Sequence, residues 1–162
     1  MKKIMFILAV VMLFVTSGCS SAQNSAASSE SAVSKTEQLA AENTKRVMLE
    51  IDGKNAVLLL NNSPAAERLY NMLPLTLSFK DFNNTEKISY TEKSLNDGLK
   101  PEGHQPKAGD LCIYAPWGNL CLFYHDFRYT DDLFYLGCLE SGVDLFAAQK
   151  SDFEVKLTKA AE

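Results

Sequence analysis

The sequence has few of the residues from which most active sites are built. Its 162 residues include one tryptophan, four cysteines and two histidines, His104 and His125. It contains no Gly-x-Ser-x-Gly nucleophile motif, no phosphate-binding glycine loop and no dinucleotide fingerprint. It also lacks the Cys-x-x-Cys pairs and Cys/His clusters that hold zinc. The sequence therefore predicts no catalytic residue, no cofactor and no metal site.

Positive charge is scarce as well. The chain has 16 Lys and Arg against 20 Asp and Glu, a net charge of −4. Leaving out residues 1–18, which hold Lys2 and Lys3 and no acidic residue, makes it −6. A protein that binds phosphate backbones needs a basic surface, so nucleic acid is excluded as a partner.

One loop holds a candidate acid–base or metal-binding cluster. His125 and Asp126 are followed by Asp131 and Asp132. Charged residues in a connection between strands are more often solvated than functional. We therefore expect a solvent-exposed loop rather than a site.

No apolar run reaches the roughly 20 residues of a transmembrane helix. The longest, residues 4–15, follows Lys2 and Lys3 and is followed by small residues, the pattern of an export signal. Ser17-Gly18 directly precedes Cys19, so the N-terminal segment resembles a bacterial lipoprotein signal. This resemblance implies that Cys19 is lipidated. The alternative is an ordinary secretory signal with Cys19 incidental. We expect an extracytoplasmic protein of the cell envelope whose partner is the membrane, through acyl chains on Cys19.

Composition divides the chain into three parts. Residues 1–18 are the signal peptide. Residues 19–45 are rich in Ser, Ala, Asn, Gln and Glu and contain no aromatic residue, so they cannot bury enough apolar surface to fold and form a flexible tether. Residues 46–162 are rich in Leu, Phe and Tyr and have the length of one globular domain.

Short strand patterns dominate that domain. Asp52-Gly53 predicts a hairpin turn between two apolar runs, and Ser63-Pro64 predicts the start of a helix that ends at Pro74. Residues 80–87 are predicted as a polar bend and 96–110 as a long loop. Further strands are predicted at 75–79, 88–90, 111–115, 120–124, 133–139 and 153–157. Seven or eight strands and one helix predict a mainly β fold, a small closed β-barrel with one capping α-helix.

The cysteines do not predict a disulfide framework. Cys112 and Cys121 flank a turn expected at 116–119, and symmetrical pairing places Tyr114 opposite Cys121 and Phe123 opposite Cys112. The two cysteines are then diagonal neighbours, too far apart for an unstrained disulfide. We expect buried apolar thiols.

Several short motifs follow one another in a recognisable order. They are Leu73-Pro74-Leu75-Thr76-Leu77, Gly109-Asp110-Leu111, Ala115-Pro116-Trp117-Gly118-Asn119-Leu120, Phe123-Tyr124 and Asp132-Leu133 to Leu136-Gly137. Over about residues 46–158 the chain resembles the bacterial cyclophilin-like domain family. The resemblance implies a cyclophilin-type closed barrel. It implies no activity, because the family's members are mostly uncharacterised and a fold does not fix a function.

The prolyl isomerase activity of true cyclophilins is the obvious candidate function. Those enzymes carry a Phe-His-Arg motif, which this sequence lacks. An isomerase needs a cation or donor that polarises the substrate amide, and of the domain's arginines only Arg128 lies near aromatic residues. We interpret the domain as non-catalytic, with a divergent peptidyl-prolyl isomerase or extracytoplasmic folding helper as the alternative.

Trp117 is the most informative single residue. At a hairpin tip it either covers the barrel end or lines a ligand cleft. The candidate ligand-binding residues are Trp117, Tyr114, Tyr124, Phe79 and Arg128. The sequence thus indicates a membrane-anchored module that binds a small molecule, peptide or protein. A third interpretation is an accessory subunit that docks through exposed aromatic residues.

Overall fold

Alternating apolar residues close the chain into a barrel. The structure, a computed structural model, describes residues 44–161. Its elements are β1 (Lys45–Ile51), β2 (Lys54–Leu60), α1 (Pro64–Met72), β3 (Leu75–Phe82), β4 (Glu86–Ser89), β5 (Asp110–Tyr114), β6 (Asn119–Phe123), β7 (Leu133–Ser141), α2 (Val143–Ala147) and β8 (Phe153–Lys159). The strands run β1-β2-β7-β5-β6-β4-β3-β8 around a closed barrel, and every neighbouring pair is antiparallel. The predicted mainly β barrel is confirmed.

The barrel interior is filled by side chains. Leu58, Leu122 and Val155 meet there with Phe79, whose ring stacks on that of Phe153 at 5.9 Å between centroids. The space left among the interior side chains is about 10 Å³, no more than one water molecule needs, about 10–15 Å³. A ligand site must therefore lie outside the barrel.

Helix α1 forms as its sequence predicts. The Ser63 hydroxyl accepts a hydrogen bond from the Ala66 N–H at 3.3 Å, and Pro64 occupies the first turn. Ala65, Ala66 and Leu69 are buried against the core. The helix thus adds an apolar face to the barrel.

The predicted polar bend at residues 80–87 is wrong. Strand β3 continues to Phe82, and the chain then turns through Asn83 and Asn84, both at φ 53°. Asparagine tolerates this left-handed conformation better than most residues. Because the turn is so short, β4 begins at Glu86 and pairs Glu86 with Phe82.

The second hairpin turns one residue earlier than predicted. The N–H groups of Trp117 and Gly118 both donate to the Tyr114 carbonyl, at 3.2 and 2.8 Å, and Gly118 takes φ 67°. The turn therefore closes at Gly118, and Asn119 becomes the first residue of β6. This register sets Cys112 directly opposite Cys121 and corrects the diagonal arrangement expected from the sequence. Both thiols are free and buried.

The predictions for the N-terminal segment concern residues that the structure does not describe. The predicted signal peptide at 1–18, the predicted lipidation site Cys19 and the predicted tether up to residue 43 lie outside the described residues. Strand β1 begins at Lys45, one residue before the expected domain start. Within residues 44–161, no helix has the length and apolar character needed to cross a membrane.

Candidate functional site

The outward faces of β4, β5 and β6 form the floor of an aromatic cleft. Its volume is about 290 Å³. The residues that line it are Phe82, Asn83, Glu86, Ile88, Tyr114, Trp117, Asn119, Cys121, Phe123, Phe127, Arg128, Thr130 and Leu133. Because side chains alternate along a strand, Asn119, Cys121 and Phe123 face the cleft while Leu120 and Leu122 face the core.

Trp117 forms a wall of this cleft. Its side chain is 52% exposed. The rings of Phe82 and Tyr114 meet it edge to face, with centroids 5.6 and 5.5 Å away. Edge-to-face contacts hold an aromatic ring in place while one face stays open. Trp117 is therefore positioned by its neighbours without being buried by them.

Two polar side chains lie on the floor among the apolar ones. Asn119 is 1% exposed, and its Nδ2 donates to the Leu120 carbonyl at 3.1 Å and to Cys121 Sγ at 3.2 Å. Its Oδ1 and the Oε2 of Glu86 are buried, and neither has a hydrogen-bond partner within residues 44–161. Burial raises the pKa of Glu86 above its ordinary value, and its contact with the Cys121 thiol offsets only part of the rise.

The two facing thiols are poor nucleophiles. Burial raises the pKa of Cys121 and of Cys112 well above the ordinary thiol range, and the negative charge of nearby Glu86 adds to both shifts. The thiolate is the reactive form of cysteine. These thiols therefore remain protonated and act as small apolar groups of the cleft floor and the layer beneath it.

The rim of the cleft carries a positive charge. Arg128 is exposed, and its guanidinium lies over the Phe127 ring at 5.6 Å from the centroid. The Phe127 ring in turn stacks on that of Phe123 at 6.1 Å. The cation thus lies at the solvent end of an aromatic stack that leads to the floor.

Three of the five predicted ligand-binding residues line the cleft: Trp117, Tyr114 and Arg128. The other two lie elsewhere. Phe79 is in the barrel interior because its position on β3 faces inward. Tyr124 follows β6 and turns away from the cleft, so that its hydroxyl donates to Asp81 at 2.6 Å.

Sequence reasoning missed Glu86 and Asn119. The sequence pattern places each of them in a turn, where an exposed polar side chain does not by itself indicate a function. Gly118 is the feature of the sequence that could have placed Asn119 correctly. A glycine commonly occupies the left-handed position at the end of a hairpin turn, so the next residue begins the following strand. No comparable signal exists for Glu86, whose position depends on where the Asn83-Asn84 turn closes.

A buried ionic network lies on the opposite, inward face of β4, behind the cleft floor. Lys87 is 2% exposed and donates to Asp81 Oδ1 at 2.6 Å and to the Gln149 carbonyl at 2.8 Å. Burial raises the pKa of Asp81, but hydrogen bonds from Lys87, Tyr124 and the Asn84 N–H outweigh it and bring the pKa to about 2. Burial and the hydrogen bond to Asp81 raise the pKa of Tyr124 to about 12.

Both histidines lie in loops. His104 Nε2 is 2.7 Å from Asp110 Oδ2, and the His104 ring stacks on Tyr135 at 4.5 Å. His125 is exposed, and the neighbouring Asp126 accepts hydrogen bonds from Lys107 and the Ala108 N–H. Across residues 44–161, no group of three or more His, Cys, Asp or Glu side chains could hold a metal ion.

Sequence comparison agrees with this architecture. A model of the cyclophilin-like family matches residues 49–158, which span every strand of the barrel. The chain belongs to the cyclophilin-like family. The match supports the resemblance seen in the sequence motifs, and no curated protein matches this cyclophilin-like protein.

A solved structure shares the fold. The solution structure of a hypothetical protein from Archaeoglobus fulgidus superimposes with a TM-score of 0.59 at 14% identity. The alignment covers 73% of this chain and 96% of the archaeal one. At that identity the similarity concerns the barrel alone, so the function must be argued from the cleft.

Proposed function

We propose that this cyclophilin-like protein is a membrane-anchored, non-catalytic module that binds a small organic ligand in the Trp117 cleft. The observation that carries the proposal is the half-exposed Trp117 ring, held edge-on by Phe82 and Tyr114 beside a cavity of about 290 Å³. Small-molecule sites are concave, mostly apolar and equipped with a few polar groups. The cleft has each of these properties.

The size of the cleft favours a small ligand. Ligand pockets start at roughly 300 Å³, so this cleft suits one ring system or one large side chain. The filled barrel interior leaves no competing site in the core. A folded protein partner would need a wider apolar surface than the cleft provides.

Membrane attachment is the second part of the proposal. Its support is the apolar run at residues 4–15 followed by Ser17-Gly18-Cys19. Acyl chains on Cys19 would hold the barrel at the membrane, with residues 19–45 as a tether. The cleft would then sample ligands close to the extracytoplasmic membrane surface.

One observation favours the alternative, a divergent peptidyl-prolyl isomerase. Arg128 is a cation beside an aromatic wall, the pair of features that an isomerase uses on a proline amide. A proline-peptide isomerisation assay separates the two functions. A rate enhancement that is lost in Arg128→Gln would support the isomerase, whereas the binding module leaves the uncatalysed rate unchanged.

The binding function can be tested with a neutral apolar dye. N-phenyl-1-naphthylamine emits more strongly in an apolar site, and we expect saturable binding to the full-length protein. Phe82→Ala removes one support of Trp117 and should weaken dye binding at least fivefold. Tyr90→Ala is the matched control, because Tyr90 is 55% exposed and is not part of the cleft lining. Equal dye binding by both variants would contradict the proposal.

A further inference from the structure

The cleft floor offers hydrogen-bond acceptors that nothing in the described chain uses. Both donor positions of the Asn119 amide are directed to neighbours, the Leu120 carbonyl and Cys121 Sγ, which leaves Oδ1 as the free atom. Glu86 contributes a second free acceptor, Oε2. Both residues line the same cleft.

Such atoms are rare in folded proteins. More than nine in ten buried polar groups have a partner, because an unpaired one loses its hydration without compensation. Two unpaired acceptors in one cleft therefore indicate that the partner comes from outside the chain. The partner must bring hydrogen-bond donors, since an acceptor cannot be satisfied by another acceptor.

The surroundings indicate the charge of that partner. A carboxylate binds a cationic donor more strongly than a neutral one. Aromatic rings add to this preference, because their faces attract cations. The walls of the cleft consist largely of such rings, those of Phe82, Tyr114, Trp117, Phe123 and Phe127.

We propose that the cleft binds a protonated amine on an apolar body, with the ammonium N–H groups donating to Glu86 Oε2 and Asn119 Oδ1. The apolar body then lies against the Trp117 wall. This inference rests on the proposed binding function and specifies the chemical class of the ligand.

Arg128 does not reverse this preference. Its guanidinium is exposed on the rim, where solvent and salt screen it. The Glu86 oxygen is buried on the floor, where screening is weak. The half-buried Glu86 carboxylate, with its buried Oε2, therefore dominates the field at the position of the amine.

Three probes that share a phenylethyl body test the inference. They are 2-phenylethylamine, the neutral 2-phenylethanol, and N,N,N-trimethyl-2-phenylethylammonium, which is cationic but has no N–H donor. Each is titrated at pH 7 into the full-length protein while the fluorescence of Trp117, its single tryptophan, is followed. We expect the amine to bind at least tenfold more tightly than either of the other two.

The variant Glu86→Gln keeps the shape of the side chain and removes its charge. We expect amine affinity to fall to about that of 2-phenylethanol. Glu154→Gln is the control, because Glu154 is exposed on β8 and does not line the cleft. An unchanged amine affinity in Glu86→Gln would overturn the inference.

The results with these probes also distinguish a failure of this inference from a failure of the proposed binding function. If the alcohol binds as tightly as the amine, the cleft binds ligands but does not select cations, and a bridging water fills the two acceptors. If the trimethylated cation binds as tightly as the amine, the rings select cations without the acceptors. If none of the three binds while the naphthylamine dye does, the inference fails and the binding function stands; if the dye does not bind either, the binding function itself fails.

Discussion

Lys87 donates a hydrogen bond to Asp81 across the β3–β4 pair, with 2.6 Å between Nζ and Oδ1, although the lysine is almost fully buried. The ring of Tyr124 lies 4.8 Å from the same ammonium group, and its hydroxyl donates to the same carboxylate. The Asn84 N–H donates to this carboxylate as well, so three donors depend on one aspartate. The pair closes the barrel on the inward side of β4, directly behind the cleft.

Asp81→Asn should destabilise the fold by about 2 kcal/mol. Breaking a fully buried ion pair costs about 3–5 kcal/mol because it leaves a charge uncompensated, and the effect is smaller here because Asp81 is 31% exposed. Urea denaturation at pH 7 measures it. Asp131→Asn is the control, as an exposed aspartate in the 124–132 loop. A loss equal to that of the control would show that the Gln149 carbonyl alone stabilises Lys87.

The same network predicts a response to pH. The pKa of Asp81 is about 2, lowered from 3.8, so its stabilising contribution is present above about pH 4 and is lost as the pH falls from 4 to 2. The pKa of Tyr124 is raised from 10.0 to about 12, so its contribution is present below pH 10 and is lost between pH 10 and 12. Melting temperatures across both ranges test this. Asp81→Asn should flatten both limbs, and unchanged limbs would contradict the assignment.

Glu86→Gln should stabilise the protein at pH 7, by about 1 kcal/mol, because the neutral amide avoids the penalty that burial imposes on the charged carboxylate. The pKa of Glu86 is raised by burial, so the native state holds a proton that the unfolded chain releases first. The stabilising effect of that proton is present at low pH and is lost as the pH rises through the raised value. The gain from the substitution should therefore shrink toward pH 4 in denaturant titrations. A variant less stable than the wild type at pH 7 would assign Glu86 a structural role.

Trp117→Ala should cost about 1 kcal/mol, because a half-exposed wall residue contributes little to stability. Phe146→Ala, which removes a fully buried ring from the core, should cost about 3–5 kcal/mol. Denaturant unfolding compares the two. In the wild type, acrylamide should quench the Trp117 fluorescence readily. A large loss of stability together with an unquenchable tryptophan would make Trp117 a lid.

Cys19→Ala should abolish lipid attachment and leave the chain unprocessed or released from the membrane. The expectation rests on Ser17-Gly18 directly before Cys19. Metabolic labelling with palmitate and membrane fractionation measure it, with Cys138→Ala as a control that keeps the signal intact. Unchanged labelling and fractionation in Cys19→Ala would refute the lipoprotein interpretation.

More of the fold than of the candidate site can be predicted from the sequence. Asp52-Gly53, Ser63-Pro64 and alternating apolar runs predict individual elements, and eight short strands with one helix suit few architectures other than a barrel. The cleft depends on register, which local patterns do not determine. A turn that closes one residue earlier shifts the pairing by two residues, so that Cys112 lies opposite Cys121 instead of Phe123. Asn119 thereby becomes a strand residue on the cleft floor instead of a turn residue, and the short turn at Asn83-Asn84 makes Glu86 the first residue of β4.

The filled barrel interior has a consequence for how this family can diversify. On β6 the residues that determine stability, such as Leu120 and Leu122, alternate with those that face the cleft, such as Asn119 and Cys121. Exchanging an outward residue leaves the barrel interior filled, and any cavity that it opens lies in the separate outward cluster to which Cys121 belongs. A lineage can therefore change the lining of the cleft while inheriting the same barrel, and a protein engineer can vary the outward positions while keeping the barrel interior.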